Sequence, residues 1–386
     1  MSFNFDTPPD RRGTDSQKWQ KYAGKDILPM WVADMDFEVA PVITEAIRAR
    51  LQQPVFGYAR PVKSTTDAIV EAMERLYSWK IDPSWLVWMP GLVSGINVAC
   101  RAFADDGDEI LSLSPIYPPF TTSPKLQERV AKTVPLVLNT AQRRWDIDWD
   151  ALEAAVTPRT KVLIFCHPHN PVGRVWTRAE LARIADFCTR RAIILLTDDI
   201  HCDLLLEPGA VHEPFGVVAP DASSRTVTFM APSKAYNVPG LGTSFAIIPD
   251  PTLRSRLTKA ALGIMAEVTV LGYVACEAAY RDGGPWRREL LAYLRGNRDY
   301  LADFVARELP GVKSEAPVQA TYLSWLNVAD LGLSQPTKHF EDHGVGLSDG
   351  VPFGAAPGAY VRINFGCPLS TLKEGLSRMK AAIAAR

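Results

Sequence analysis

The sequence is short of several things, and each shortage excludes something. Its six cysteines among 386 residues form no C-x-x-C pair. Cys100, Cys166, Cys188, Cys202, Cys276 and Cys367 are scattered in apolar settings, which argues against a disulfide framework and for reduced core thiols. No long run of one charge sign occurs, and 42 Lys+Arg against 43 Asp+Glu leave a formal charge of -1. Neither nucleic acid nor an anionic membrane is therefore an expected partner. No window offers the long uncharged apolar run that a bilayer demands, and the first residues lack the apolar core of a secretion signal. Internal repeats and low-complexity segments are absent too. The composition points to a soluble, unprocessed, cytoplasmic metabolic enzyme.

What is present is enough chain for one large α/β unit, or for a large domain with a smaller one. Residues 1 to about 30 are polar and proline-bearing and read as an arm. The string Pro29 to Phe37 mixes large apolar groups with Asp34 and Asp36. It reads as a strand ending in a cap rather than a metal site, because two acids alone make a poor cage. Helical periodicity follows at Pro41–Gln52 and Ser64–Lys80. A strand, Trp85 to Gly91, then runs into Gly91-Leu-Val-Ser-Gly95 and a helix from Ile96 to Ala104, a turn that could cradle a phosphate. Apolar, β-branched strands (109–113, 161–166, 192–196, 227–230) alternate with helices such as 177–190, which implies a largely parallel sheet with helices on both faces. Long helical patterns at 253–280 and 286–309 lead to a smaller α+β pattern: strands 321–328 and 360–365, helices 337–343 and 370–385.

In such sheets ligands bind at the carboxyl ends of the strands. Tyr117, Asn170, Asp198, His201 and Lys234 cluster at those ends. Lys234 sits in Met230-Ala-Pro-Ser-Lys-Ala-Tyr-Asn-Val-Pro-Gly-Leu-Gly242, a proline- and glycine-rich turn after a buried strand. Partial burial lowers an amine's pKa, so this lysine is the candidate for the chemistry, as a base or by condensing with an aldehyde.

Four motifs in this order, Trp31-Val-Ala-Asp-Met-Asp-Phe37, Pro168-His-Asn-Pro-Val-Gly-Arg174, Asp198-Asp-Ile-His-Cys-Asp203 and Arg362-Ile-Asn-Phe-Gly-Cys-Pro368, resemble the fold-type I enzymes that use pyridoxal 5′-phosphate (PLP), the aspartate aminotransferase superfamily. Within it they are similar to the MalY/PatB branch of cystathionine β-lyase-like carbon–sulfur lyases. The resemblance covers nearly the whole chain. It implies a large domain with a mostly parallel, seven-stranded type of sheet between helices (46–285), a smaller α+β domain (286–386), and an N-terminal arm contributing to the small domain (1–45). It also implies roles. Lys234 would bond the cofactor's aldehyde and later remove the substrate's Cα proton; Asp198 would keep the pyridine nitrogen protonated. Asn170 would bind the ring's 3′-oxygen with His201 nearby, and Tyr117 would stack on the ring. Leu92, Val93 and Ser233 would hold the phosphate, joined by Tyr58 from a neighbouring subunit of a homodimer. Arg362 would bind the substrate α-carboxylate.

The implied reaction is β-elimination from L-cystathionine or a related S-substituted L-cysteine, giving a thiol, pyruvate and ammonia. An aminotransferase shares the same first carbanion and stays open, as do a specialised biosynthetic enzyme of this branch and a regulatory protein that retains PLP. Four positions depart from common patterns. Ala231 and Gly242 replace phosphate-binding serine and arginine, His201 replaces a tyrosine, and His167 stands where asparagine is usual. Reading His167, His169, His201, Cys166 and Cys202 as a metal cluster is disfavoured, since their spacings match no standard zinc pattern.

Overall fold

The computed structural model describes residues 3–386; Met1 and Ser2, the start of the expected arm, lie outside the described residues. An eight-stranded sheet forms the centre. Its spatial order is Leu86–Met89, Ser244–Ile247, Thr226–Met230, Ile194–Asp198, Thr160–Cys166, Glu109–Ser114, Val130–Asn139, Arg144–Ile147. The five strands from Thr226–Met230 to Val130–Asn139 pair in parallel. Toward one edge Ser244–Ile247 pairs antiparallel with both Thr226–Met230 and Leu86–Met89, and at the other edge Arg144–Ile147 pairs antiparallel with Val130–Asn139. Arg144–Ile147 is the strand beyond the expected seven.

The central strands are apolar on both faces because both faces are covered. Ile110, Ile164 and Leu196 pack with Ile96, Phe103, Leu253 and Leu257 on one side. Their neighbours Leu111, Leu163 and Leu195 pack with Leu181, Ile184 and Phe187 on the other. This period-2 alternation decides which residues at the strand ends meet the pocket and which point behind it. A second, three-stranded antiparallel sheet is ordered Leu323–Asn327, Tyr360–Asn364, Ser348–Asp349. It shares a core with helices Gly284–Glu308 and Leu369–Ala384.

Three expectations are corrected. The helix anticipated over 253–280 is two helices, Pro251–Ala261 and Val270–Asp282. Gly263 adopts φ +78° in the break, and the Thr269 hydroxyl caps the second helix by accepting from Gly272 N at 3.1 Å. The N-terminal stretch is no free arm: Leu28–Pro29 pairs in parallel with Val345–Gly346, and Phe5, Lys18 and Tyr22 are buried. Asp34 and Asp36 do not cap a strand. Asp36, 3% exposed, takes Lys18 Nζ at 2.6 Å, Arg11 Nη1 at 2.8 Å and Trp19 Nε1 at 3.1 Å, while Arg11 Nη2 reaches Asp34 at 2.8 Å. Burial opposes ionisation of Asp36, but Lys18, Trp19 and Arg11 outweigh it and hold the carboxyl below its ordinary range.

Breaking a buried ion pair strands the other charge, whereas replacing both partners with apolar groups does not. Asp36→Ala is expected to cost about 3 kcal/mol in chemical denaturation. The double replacement Lys18→Met, Asp36→Leu should recover most of that loss. Since the folded carboxyl titrates below the unfolded one, the pair's contribution is full above the ordinary carboxylate range and is lost as pH falls through the folded value.

Candidate active site

The carboxyl ends of the parallel strands open into a pocket of about 450 Å³. Nine of the ten candidate residues line it: Lys234, Asp198, Asn170, Tyr117, His201, Leu92, Val93, Ser233 and Arg362. Tyr58 does not. It is fully exposed, on an irregular segment that also exposes Val55, Phe56 and Val62.

Lys234 follows the wholly buried strand Thr226–Met230. Its turn is fixed by Asn237, which adopts φ +56° and clamps the opposite segment: Nδ2 donates to Met35 O and Phe37 O, and Oδ1 accepts from Met35 N. Lys234 Nζ donates to Ala33 O at 2.7 Å, and the buried Tyr322 hydroxyl donates to the same oxygen at 2.9 Å. Burial brings the amine down to about 8; Arg362 pushes the same way and Asp34 opposes. Asp198 responds in the other sense. Burial drives its carboxyl up to about 7, against one hydrogen bond from Ile200 N at 3.0 Å, and the neighbouring Asp199 adds to the rise.

Arg362 lies on the inner strand of the small sheet, opposite Ser348 in register. Nη1 donates to Asn170 Oδ1 at 3.1 Å; Nη2 donates to Trp31 O at 3.1 Å and Ser348 Oγ at 3.4 Å. The guanidinium stands 4.6 Å from the Phe353 ring centroid, and Nε is buried without a partner. Burial lowers this arginine to about 10, so it remains a cation with a free N–H. His201 is brought to about 3 by burial, with Lys234 and Arg362 adding to the fall. Burial thus keeps its ring neutral at pH 7.

The helix Leu92–Phe103 starts directly at Gly91, four residues earlier than its periodicity suggested. Its first turn, Leu92, Val93 and Ser94, therefore presents unpaired backbone N–H groups to the pocket. Gly242 adopts φ +56°, and a Cβ there would fall 2.9 Å from Pro90 O, so no arginine fits that backbone. Ser94, in the expected cradle turn, supplies a hydroxyl, and Thr243, which no sequence motif singled out, supplies another, while Trp31, Ser348 and Phe353 surround Arg362. Among the described residues no group of three His, Cys, Asp or Glu is placed to hold a metal. His169 instead bonds Pro115 O at 2.8 Å.

Known proteins share this chain's sequence pattern and fold. The family profile described as aminotransferase class I and II matches residues 25–379. Cystathionine beta-lyase PatB of Bacillus subtilis is 37% identical, over 99% of this chain and 100% of its own. The crystal structure of OvoB aligns with a TM-score of 0.95 at 46% identity, covering 100% of both chains. Cystalysin from Treponema denticola, whose crystal structure contains pyridoxal 5′-phosphate, aligns at 0.94 with 31% identity over 100% of both.

The Lys234 amine is expected to be far more reactive near neutrality than a surface lysine. Competitive acetylation of the cofactor-free protein should give a titration midpoint near 8 for Lys234. A midpoint at the ordinary roughly 10.4 would contradict the burial argument.

Proposed function

Because the chain belongs to the aminotransferase class I and II family, we infer that this pocket serves a PLP-dependent carbon–sulfur β-lyase acting on L-cystathionine or a related S-substituted L-cysteine. The carrying observation is a buried lysine and a buried acid, each shifted toward neutrality, in one pocket with a free arginine N–H.

The residues fit the cofactor. Asp198 has one backbone donor and gains from a pyridinium N–H. Asn170 keeps its amide nitrogen available, and His201 Nδ1 is buried without a partner, which suits them to a ring oxygen. The first turn of Leu92–Phe103, with Ser94, Ser233 and Thr243, suits a phosphate and compensates for Ala231 and Gly242. Tyr117 flanks the position the ring would take, and Lys234 is the amine that would hold the aldehyde. When bound, PLP would supply an acceptor ring for the electron pair left at Cα.

Arg362 receives the α-carboxylate at Nε and directs the Cα–H toward Lys234. Lys234 accepts that proton at Nζ, and Ala33 O is placed to hold the resulting ammonium. The β-thiolate then leaves, and the three-carbon remainder takes up water to give pyruvate and ammonia. Neutral His201 adds no charge against either cation.

We further propose a homodimer in which Tyr58 crosses to the neighbouring pocket, a cytoplasmic location, and domain limits of 1–45, 46–285 and 286–386. Among the described residues no helix is long and apolar enough to cross a membrane.

Purified holoenzyme given cystathionine or other S-substituted cysteines, with no keto acid present, is expected to release pyruvate. Lys234→Ala should slow this about a thousandfold. Amino transfer to an added keto acid, without pyruvate from any S-substituted cysteine, would instead establish the aminotransferase reading.

A further inference from the structure

Two neighbouring parallel strands end alike. Cys166 and Asp198 are partners in register, and both line the pocket. Strand alternation turns the next residue of each, His167 and Asp199, to the opposite side of the sheet. There the wholly buried Asp199 accepts from the Thr197 hydroxyl and from His212 Nε2, the latter at 2.8 Å. The His212 ring stacks on His167 with centroids 4.3 Å apart and planes at 29°. Tyr77 meets its other contact edge-on at 5.4 Å. His212 Nδ1 is buried without a partner.

The stack fixes which atom of His212 meets the carboxylate. His167 lies against one face of the ring and Tyr77 packs on it edge-on, so that Nε2 points at Asp199. Burial, with His212 adding, holds His167 well below its ordinary range, so the stacked neighbour brings no charge of its own. The groups facing Asp198 are Asp199, Lys234, Tyr117, Cys166 and Cys202. Those facing His212 are Asp199, His167 and Tyr77. Of these only Asp199 adds a like charge beside Asp198.

We propose that Asp199, oriented by Thr197 and His212, is a positioning residue that strengthens Asp198 as proton partner of the cofactor's pyridine nitrogen, and that His167 serves to hold the His212 ring against it. The inference rests on the cofactor reading above, not on the lyase outcome.

The test is the preference of the cofactor-free protein for PLP over its 1-deaza analogue, in which a ring C–H replaces the nitrogen. Taking the ratio of the two dissociation constants cancels general damage to the fold. Asp199→Asn should shrink the wild-type preference about tenfold. His212→Gln, which keeps a donor for the carboxylate, should retain it within about threefold. An unchanged preference in Asp199→Asn would overturn the proposal, as would a loss in His212→Gln matching that of Asp199→Asn. If Asp199→Asn does not fold, Thr197→Val, which removes the other donor to Asp199, decides: it should shrink the preference about threefold, and an unchanged preference would overturn the proposal. A wild type that bound neither compound would defeat the cofactor reading instead.

Discussion

The carbonyl of Ala33 is the acceptor on which the site depends. A buried amine without an acceptor is costly, and Lys234 finds its acceptor here, on a segment distant in sequence. Tyr322 brings the small sheet to the same oxygen. Asn364 Nδ2 supports the loop from below by donating to Val32 O at 2.6 Å and Asp34 O at 2.7 Å, and Asn237 ties Met35 and Phe37 to the lysine turn. Arg11 and Lys18 then pin Asp34 and Asp36 from the N-terminal stretch. Residues 31–37 are thus the junction through which the lysine turn, the small sheet and the N-terminus share one geometry.

One physical cause tunes the pocket in opposite directions. Loss of water disfavours charge, so it lowers Lys234 to about 8 and His201 to about 3 and raises Asp198 to about 7. Arg362 falls only to about 10 and stays charged. The result is an amine close to neutral for bonding an aldehyde, a carboxyl suited to sharing a proton, and a cation for an α-carboxylate. Asp199 behind the sheet pushes Asp198 the same way as burial: both raise the carboxyl and make it a stronger base, so a ring nitrogen that shares its proton would be held more firmly.

The parallel strands and their ends were legible because each is locally apolar and stops at a conspicuous turn. Lys234, Asp198, Asn170 and Arg362 gained meaning by converging on those ends, and the family motifs then assigned the roles proposed for them. What escaped depends on distant partners. Asp36 looked like a strand cap because Arg11 and Lys18 lie in a stretch without periodicity. Ser348 and Phe353 come from a loop whose position is set only by pairing with the Arg362 strand. The break at Gly263 interrupts a pattern that stays apolar on either side. His167 was unexplained in sequence because its partner, His212, is an ordinary loop residue until the fold stacks the two rings.

The central claim is that Lys234 is the residue that bonds the cofactor. Borohydride reduction of the PLP-loaded protein, followed by proteolysis and mass spectrometry, fixes that bond where it forms. The account predicts one phosphopyridoxyl group per chain, on the peptide carrying Lys234. Its appearance on another lysine, or on none, would contradict it.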